Sequence, residues 1–343
     1  MQEQIPLLVN GRRSMLLPFF LFGLLFLAAA AMQLKLGSPA MTWEELLSII
    51  FCRTGDDLRR TIVWEMRIPR ILLGFMVGTM LGAAGAIMQG AMNNKLAGPE
   101  LLGISSGASL AMAAITVLHL PITVLLHPAV ALIGGLAGGL SVLIASRGSR
   151  GTVGLLLIGM SVSAILSGLL IILISLGTSN DVNLLYTYLL GSLANRNWNH
   201  VLRLLPWFVT VLPLAFFFTS TLNLMQLGDE AAAGLGVQVR RARMWMLALC
   251  TALVAITVAQ CGPIGYIALI APHLARSLLR SLDARSVLPL SAICGGVLLT
   301  AADTVARLLL YPMEIPVGVW TTILGGGLFL AFFAKGQGGG TRA

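Results

Sequence analysis

Ten apolar blocks, near 15–34, 68–91, 101–118, 126–146, 153–176, 201–222, 243–261, 264–281, 287–310 and 317–334, constrain this chain more than any other feature. A helix that crosses the hydrocarbon core of a bilayer needs about 20 consecutive apolar residues, and each block is of that order. A water-soluble domain is excluded on the same ground. Only 10% of the residues are charged, against about 25% in an ordinary soluble domain, so the chain could not cover its own surface in water. The expected fold class is therefore an all-α polytopic membrane protein with about ten transmembrane helices. It forms one transmembrane domain over 1–343, with a short N-terminal tail, 1–14, and a glycine-rich C-terminal tail, 336–343. Only Cys261-Gly262-Pro263 separates the seventh block from the eighth, which also admits nine spans.

The net charge of +9 does not point to nucleic acid, because the basic residues lie between apolar blocks rather than in a stripe with aromatics. With an even count and the N-terminus inside, Arg12, Arg13, Lys95, Arg147, Arg150, Arg240, Arg241, Arg243, Arg276, Arg280, Arg285, Lys335 and Arg342 fall on the cytoplasmic side, as the positive-inside rule requires. Most of the other basic residues cluster between Lys35 and Arg70 and need their own explanation. In that polar stretch Thr42-Trp43-Glu44-Glu45 reads as a capping box opening a short helix, Leu46 to Phe51. The first block follows Arg12 and Arg13 without a small-residue cleavage site before Lys35, and reads as a retained helix. Cys250, Cys261 and Cys294 lie in apolar stretches as small core fillers, and with Cys52 they show no zinc or disulfide spacing.

Glycines recur at four-residue spacing, as in Gly74, Gly78 and Gly82, which lets helices approach closely in lipid. If spans two to five correspond to seven to ten, the offset of five reverses their direction, an inverted repeat common among transporters. The three lysines, Lys35, Lys95 and Lys335, never precede Ser or Thr, so the chain has no Walker A loop. ATP hydrolysis would belong to another polypeptide. H-E-x-x-H does not occur, which leaves a membrane metalloprotease without its motif. Asp303 is the one carboxylate well inside a span, too few for a proton relay. His119 and His127 fall in an outer loop, and neither they, His200 nor His273 form a metal-ligand set.

Two constellations remain. In Leu227-Gly228-Asp229-Glu230-Ala231-Ala232-Ala233-Gly234-Leu235-Gly236, two acids at the start and glycine at the end suit a short cytoplasmic helix able to seat in a partner's groove. Arg67-Ile68-Pro69-Arg70 opens the second span, with Pro69 suited to a first helical turn and two cations set against the helix dipole. Arg307, four residues after Asp303, approaches the same outer face, where it pairs locally with Asp303, snorkels to the interface or meets an acidic protein.

Read in order, these segments resemble the FecCD-type permeases, membrane subunits of ABC importers for cobalamin, haem and ferric siderophores. The resemblance is carried by Arg67-Ile68-Pro69-Arg70, by Gly85-Ala86-Ile87-Met88-Gln89, and by Leu96-Ala97-Gly98-Pro99-Glu100-Leu101-Leu102-Gly103-Ile104-Ser105-Ser106-Gly107. It continues in Leu227 to Gly236, in Gly262-Pro263-Ile264-Gly265-Tyr266, and in Glu314-Ile315-Pro316-Val317-Gly318. It covers essentially residues 15 to 335. Two departures stand out. Asn93-Asn94-Lys95-Leu96-Ala97 lacks the family's proline, and Gly325-Gly326-Gly327-Leu328-Phe329 lacks its Gly-x-Pro-x-Phe.

The resemblance implies type II importer architecture and a homodimer, or a pair with a similar permease, in the inner membrane of a bacterium with both termini cytoplasmic. It implies two partner ATPase subunits that bind ATP and Mg, no cofactor held by this chain, and an external substrate-binding protein. It further implies that Arg67, Arg70 and Arg307 dock that protein. Gly228, Asp229, Glu230, Ala233, Gly234, Leu235 and Gly236 would couple to the ATPase, and Gly151, Thr152 and Val153 would lie at the cytoplasmic gate. Asp181-Val182-Asn183, Gly191-Ser192-Leu193, Trp198 and Cys261-Gly262-Pro263-Ile264 look most like members that carry iron chelates. The expected function is a non-enzymatic permease for a metal chelate, a ferric siderophore before haem or cobalamin. Its rivals are an ion-coupled secondary transporter and a membrane-embedded enzyme.

Overall fold

The computed structural model describes residues 12–37, 39–52, 56–146, 151–310 and 313–337, and side chains within 17–327 of these. The N-terminal tail up to residue 11 and the C-terminal tail from 338 lie outside the described residues. Every regular element among the described residues is helical. The first four helices are α1 (Arg12–Lys35), α2 (Trp43–Leu47), α3 (Asp57–Thr61) and α4 (Ile68–Ala91). Next come α5 (Ile104–Val117), α6 (His127–Ala145), α7 (Gly151–Leu176), α8 (Ser179–Leu189) and α9 (Trp198–Phe217). The remainder are α10 (Thr219–Met225), α11 (Asp229–Gly234), α12 (Val239–Cys261), α13 (Ile267–Leu279), α14 (Ala284–Leu309) and α15 (Val317–Gln337).

Nine of the ten predicted apolar blocks each coincide with a single one of these helices among the described residues. Seven helices are long and apolar enough to cross a membrane, while α5 and α13 are shorter, with 14 and 13 residues. Gly262 to Tyr266 stay outside helix and divide α12 from α13. The sixth block breaks in two at Phe218, and α8 was not anticipated. Its signal is a second capping box, in which the Thr178 hydroxyl accepts from the Asp181 amide and Asp181 accepts from the Thr178 amide. The first capping box forms as expected and opens α2, which continues as π-helical turns Ser48–Cys52. There the Thr42 amide, with help from Arg59, holds the Glu45 carboxyl below the usual carboxylate range.

The five-span offset reappears in the packing. α4 lies against α14 as α12 lies against α6, and α5 pairs with α6 as α13 pairs with α14. The two short helices occupy corresponding places. Each follows a Gly-Pro step, Gly98-Pro99 or Gly262-Pro263, and a left-handed residue, Gly103 at φ 68 or Tyr266 at φ 64. Interrupted apolar helices at equivalent positions are what an inverted repeat of this kind produces. The crossings depend on small residues. A Cβ at Gly78 or Gly82 would lie less than 3.0 Å from the carbonyl of Gly295 or Ser291 on α14, so the backbones are already in contact. At Gly74 a Cβ would meet side chains rather than backbone, Leu193 at 3.2 Å and Thr300 of α14 at 3.7 Å.

Burial separates the helices into two kinds. α4 and α12 are almost wholly enclosed by other helices, and Cys250, Cys261 and Cys294 are buried free thiols. α1, α7 and α9 present most of their apolar surface outward. At the end of α4 the missing proline is replaced by local chemistry. Asn93 takes a left-handed conformation, φ 46, and the Asn94 side chain accepts from the Leu96 amide at 2.9 Å. Asparagine tolerates that region better than other non-glycine residues, so the helix still stops there. At the second departure, Gly325 makes room for Tyr266, whose side chain occupies the space a Cβ would need.

Candidate functional site

The three arginines expected to dock a partner converge at one end of the bundle, around a cavity of about 590 Å³ whose lining also includes Gly37, Met66, Arg196 and Glu314. Arg67 sits on the π-helical turn Ile62–Arg67 that leads into α4 and is only 3% exposed. It donates to the carbonyls of Leu34 and Pro39, the latter at 2.6 Å. Arg307, in the last turn of α14, is also buried and donates to the carbonyls of Gln33, at 3.1 Å, and Leu36. Both therefore satisfy the otherwise orphaned carbonyls at the C-terminal end of α1, where a cation also meets the negative end of the helix dipole. Glycine at 37, with φ 122, leaves the space that the Arg307 guanidinium fills.

Arg70 is held by carboxylates. Its Nε and Nη2 donate to Asp303 Oδ2 and Oδ1 at 2.8 and 2.9 Å, and its Nη1 donates to Glu314 at 2.9 Å. Asp303 is 1% exposed and accepts a further hydrogen bond from Gln33. The local Asp303–Arg307 alternative is not the one realised, since the hydrogen-bond donors to Asp303 are Arg70 and Gln33. A planar guanidinium meets a carboxylate with two parallel bonds, and Arg70 reaches across from α4 in the right plane. Four guanidinium groups around the cavity face two carboxylates, Asp303 and Glu314. The rim is therefore electropositive and would attract an acidic surface. Sequence reasoning missed Arg196, Gln33 and the role of Glu314. The Glu314-Ile315-Pro316 motif was the available signal for the last of these.

At the other end of the bundle, α11 spans Asp229–Gly234, as the acids and glycines implied. Gly228 at φ 99 and Gly236 at φ 87 make the turns on either side. Ala232 is buried, while Glu230, Ala233, Gly234 and Leu235 are exposed. Leu227 and Leu235 thus flank a small helix with their side chains uncovered. Asp229 is not fully free, because Arg243 Nη2 donates to its Oδ1 at 2.7 Å while Arg243 Nε donates to the Ala91 carbonyl of α4 at 2.9 Å. Arg243 is 8% exposed; by sequence it was one basic residue in a cytoplasmic run.

The three residues expected at the gate, Gly151, Thr152 and Val153, open α7. Gly151 is its first residue, with its surroundings outside the described side chains. Thr152 is half-buried and Val153 is exposed. The exposed hydroxyls of Ser161 and Ser175 bond to carbonyls of Leu157 and Ile172 on their own helix. Such back-bonding keeps an otherwise apolar face free of unsatisfied donors. The structure places these three residues near neither the arginine cavity nor α11 in any hydrogen bond among the described residues.

The sequence profile of the FecCD transport family matches residues 20–335. The Fe(3+) dicitrate transport system permease protein FecD of Escherichia coli (strain K12) is 36% identical over 301 residues, covering 88% of this chain and 93% of that protein. The hemin transport system permease protein HmuU of Yersinia pestis is 37% identical over 328 residues, covering 94% and 96%. A solved metal-chelate type ABC transporter in an inward-facing conformation superimposes with a TM-score of 0.82 at 28% identity, over 92% of this chain and 98% of that one.

Proposed function

Since the chain belongs to the FecCD transport family, we propose that it is the membrane permease of an ATP-driven importer for a ferric chelate of the siderophore or citrate class. The observation that carries this reading is the family profile running through residues 20–335 together with the electropositive cavity at one end of α4 and the exposed α11 at the other. The arginine end faces outward and docks a substrate-binding protein through Arg67, Arg70 and Arg307. The α11 end faces the cytoplasm, with both chain termini, and seats in a separate ATPase that holds ATP and Mg. This chain carries no ATPase chemistry of its own. Alternating access then moves the chelate without reaction on it.

The outward-facing apolar surface of α7 supports a place for that helix beside a second permease copy, with the gate at Gly151, Thr152 and Val153. Ferric citrate is favoured because several of the similar permeases, FecD among them, are named for it, and haem is the second reading because HmuU is as similar as FecD.

The test is to reconstitute the chain in lipid with the ATPase and binding protein of its own system and to follow ATP hydrolysis with ferric citrate, haem or neither. Ferric citrate is expected to stimulate hydrolysis, and Arg67→Gln is expected to raise the dissociation constant of the loaded binding protein about tenfold, equivalent to one charge-assisted contact. Stimulation by haem alone would move the substrate to the second reading. Uptake that persists without any ATPase would replace the importer by an ion-coupled carrier. For the cytoplasmic contact, Leu235→Arg is expected to leave the thermal midpoint of the purified chain unchanged while abolishing co-purification with the ATPase. Leu235 is 60% exposed and a largely exposed side chain contributes little to folding, whereas a cation placed in an apolar groove is strongly disfavoured. A lowered midpoint with intact assembly would remove α11 from the interface.

A further inference from the structure

α4 runs without interruption from the arginine cavity toward the end of the bundle that carries α11. Its 24 residues contain one proline, Pro69, confined to the first turn, and most of its side chains are buried. Arg70 and Ala91 are separated along it by about 32 Å at 1.5 Å per residue. At the cavity end, Arg70 grips Asp303 and Glu314. At the other end, the Ala91 carbonyl belongs to the last turn, where a helix has no partner of its own to offer, and Arg243 supplies it. The same guanidinium holds Asp229, the first residue of α11. One buried side chain therefore bonds the backbone of α4 and the carboxylate of α11 at once.

We propose that Arg243 is the positioning residue that carries movement of α11 into α4, so that the arginine cavity responds to the state of the ATPase. This rests on the reading that α11 seats in the ATPase. The planar guanidinium suits the task because its Nε and Nη2 point to two acceptors in a fixed fork, whereas an ammonium acts as a point charge without that geometry. Arg243 stands near the start of α12, which also packs against α4, so when α11 shifts, Asp229 draws the guanidinium with it, and α12 and the end of α4 are drawn together. A parallel apolar path exists through α10, whose Leu222 lies against Gly90, so loss of Arg243 weakens the link rather than cutting every contact.

The experiment uses the full complex of chain, ATPase and binding protein in nanodiscs. The affinity of the binding protein is measured before and after the ATPase is trapped with ATP and vanadate. The wild-type ratio of the two dissociation constants is expected to differ from unity by about tenfold, within the usual range of allosteric coupling. Arg243→Gln is expected to bring that ratio to within about twofold of unity while basal hydrolysis continues, since a distant affinity is a readout that mere loss of packing would not flatten selectively. Arg243→Lys keeps the charge beside Asp229 and is expected to restore part of the ratio. Adding Asp229→Asn to Arg243→Gln should change nothing further, because the two act through one bond. A wild-type ratio in both Arg243 variants overturns the proposal. If Arg243→Gln fails to assemble, Arg243→Lys decides it by the same ratio. Failure of the wild-type chain to bind the ATPase would be seen before any ratio is taken, and would overturn the coupling reading and this proposal together.

Discussion

Gly82→Leu is expected to abolish accumulation of the protein in membranes, whereas Gly23→Leu is expected to leave it at the wild-type level. Both positions lie in long apolar helices, so leucine improves membrane partitioning at each. They differ in what stands opposite. At Gly82 a Cβ would come within 3.0 Å of the Ser291 carbonyl and its carbon, fixed backbone atoms of α14 that cannot rotate away, while at Gly23 nothing lies within 4 Å. Between helices in lipid, close approach supplies the packing energy that the hydrophobic effect supplies in water, so parting α4 from α14 removes the contact the bundle is built around. Gly82→Ala should cost about 1–3 kcal/mol, the usual penalty of overpacking, and Gly78→Leu should reproduce the loss. Quantifying folded protein by fluorescence size-exclusion after mild detergent extraction checks this. Equal accumulation of Gly82→Leu and Gly23→Leu would mean that α4 and α14 are not packed as described.

The second large effect concerns Asp303. Asp303→Leu and Arg70→Met, made singly, are each expected to destabilise the chain by about 3–5 kcal/mol, because each leaves a buried charge without its partner. Arg70 would retain Glu314, which lies nearer the surface, so Asp303→Leu falls at the lower end of that range. The double variant is expected to recover most of the loss, since an apolar pair of similar volume replaces an ion pair whose desolvation had offset much of its attraction. Thermal unfolding of the four proteins in one detergent closes the cycle. Strictly additive losses would show that the two residues do not depend on each other. The double variant has a further use, because it separates folding from docking. A stable chain with neutral residues at both positions that still binds the substrate-binding protein at full affinity would remove Arg70 from the docking surface.

Much of this architecture was legible in the residues. The apolar block at 68–91 became α4 at the same residues, because a span's length and hydropathy are properties of a continuous segment and need no partner. The capping box at Thr42 and the glycine-bounded acids at Asp229 were readable for the same reason: their hydrogen bonds close within three or four residues. α8 has an equally local Thr178–Asp181 cap, but it is only weakly apolar and so leaves no mark in the hydropathy pattern.

The charged residues divide along the same line. Their positions along the chain placed Arg67, Arg70 and Arg307 at one end of the bundle and Asp229 at the other, but gave no account of what each would touch. Arg70 meets Asp303 across 233 positions of sequence, Arg307 meets Gln33 across 274, and Arg243 meets Ala91 across 152. By itself the sequence determined that the chain lives in a bilayer, which apolar segments become its long helices, and which family it belongs to, since each follows from segments read singly or in order. Only the tertiary structure decided that two of the arginines anchor the end of α1, that a third is locked to a buried aspartate, and that a fourth, Arg243, ties α11 to α4. A guanidinium bonds whatever acceptor the packing of other helices brings within about 3 Å, and that packing is set by close backbone contacts such as Gly82 on Ser291 rather than by the residues beside the arginine in the chain.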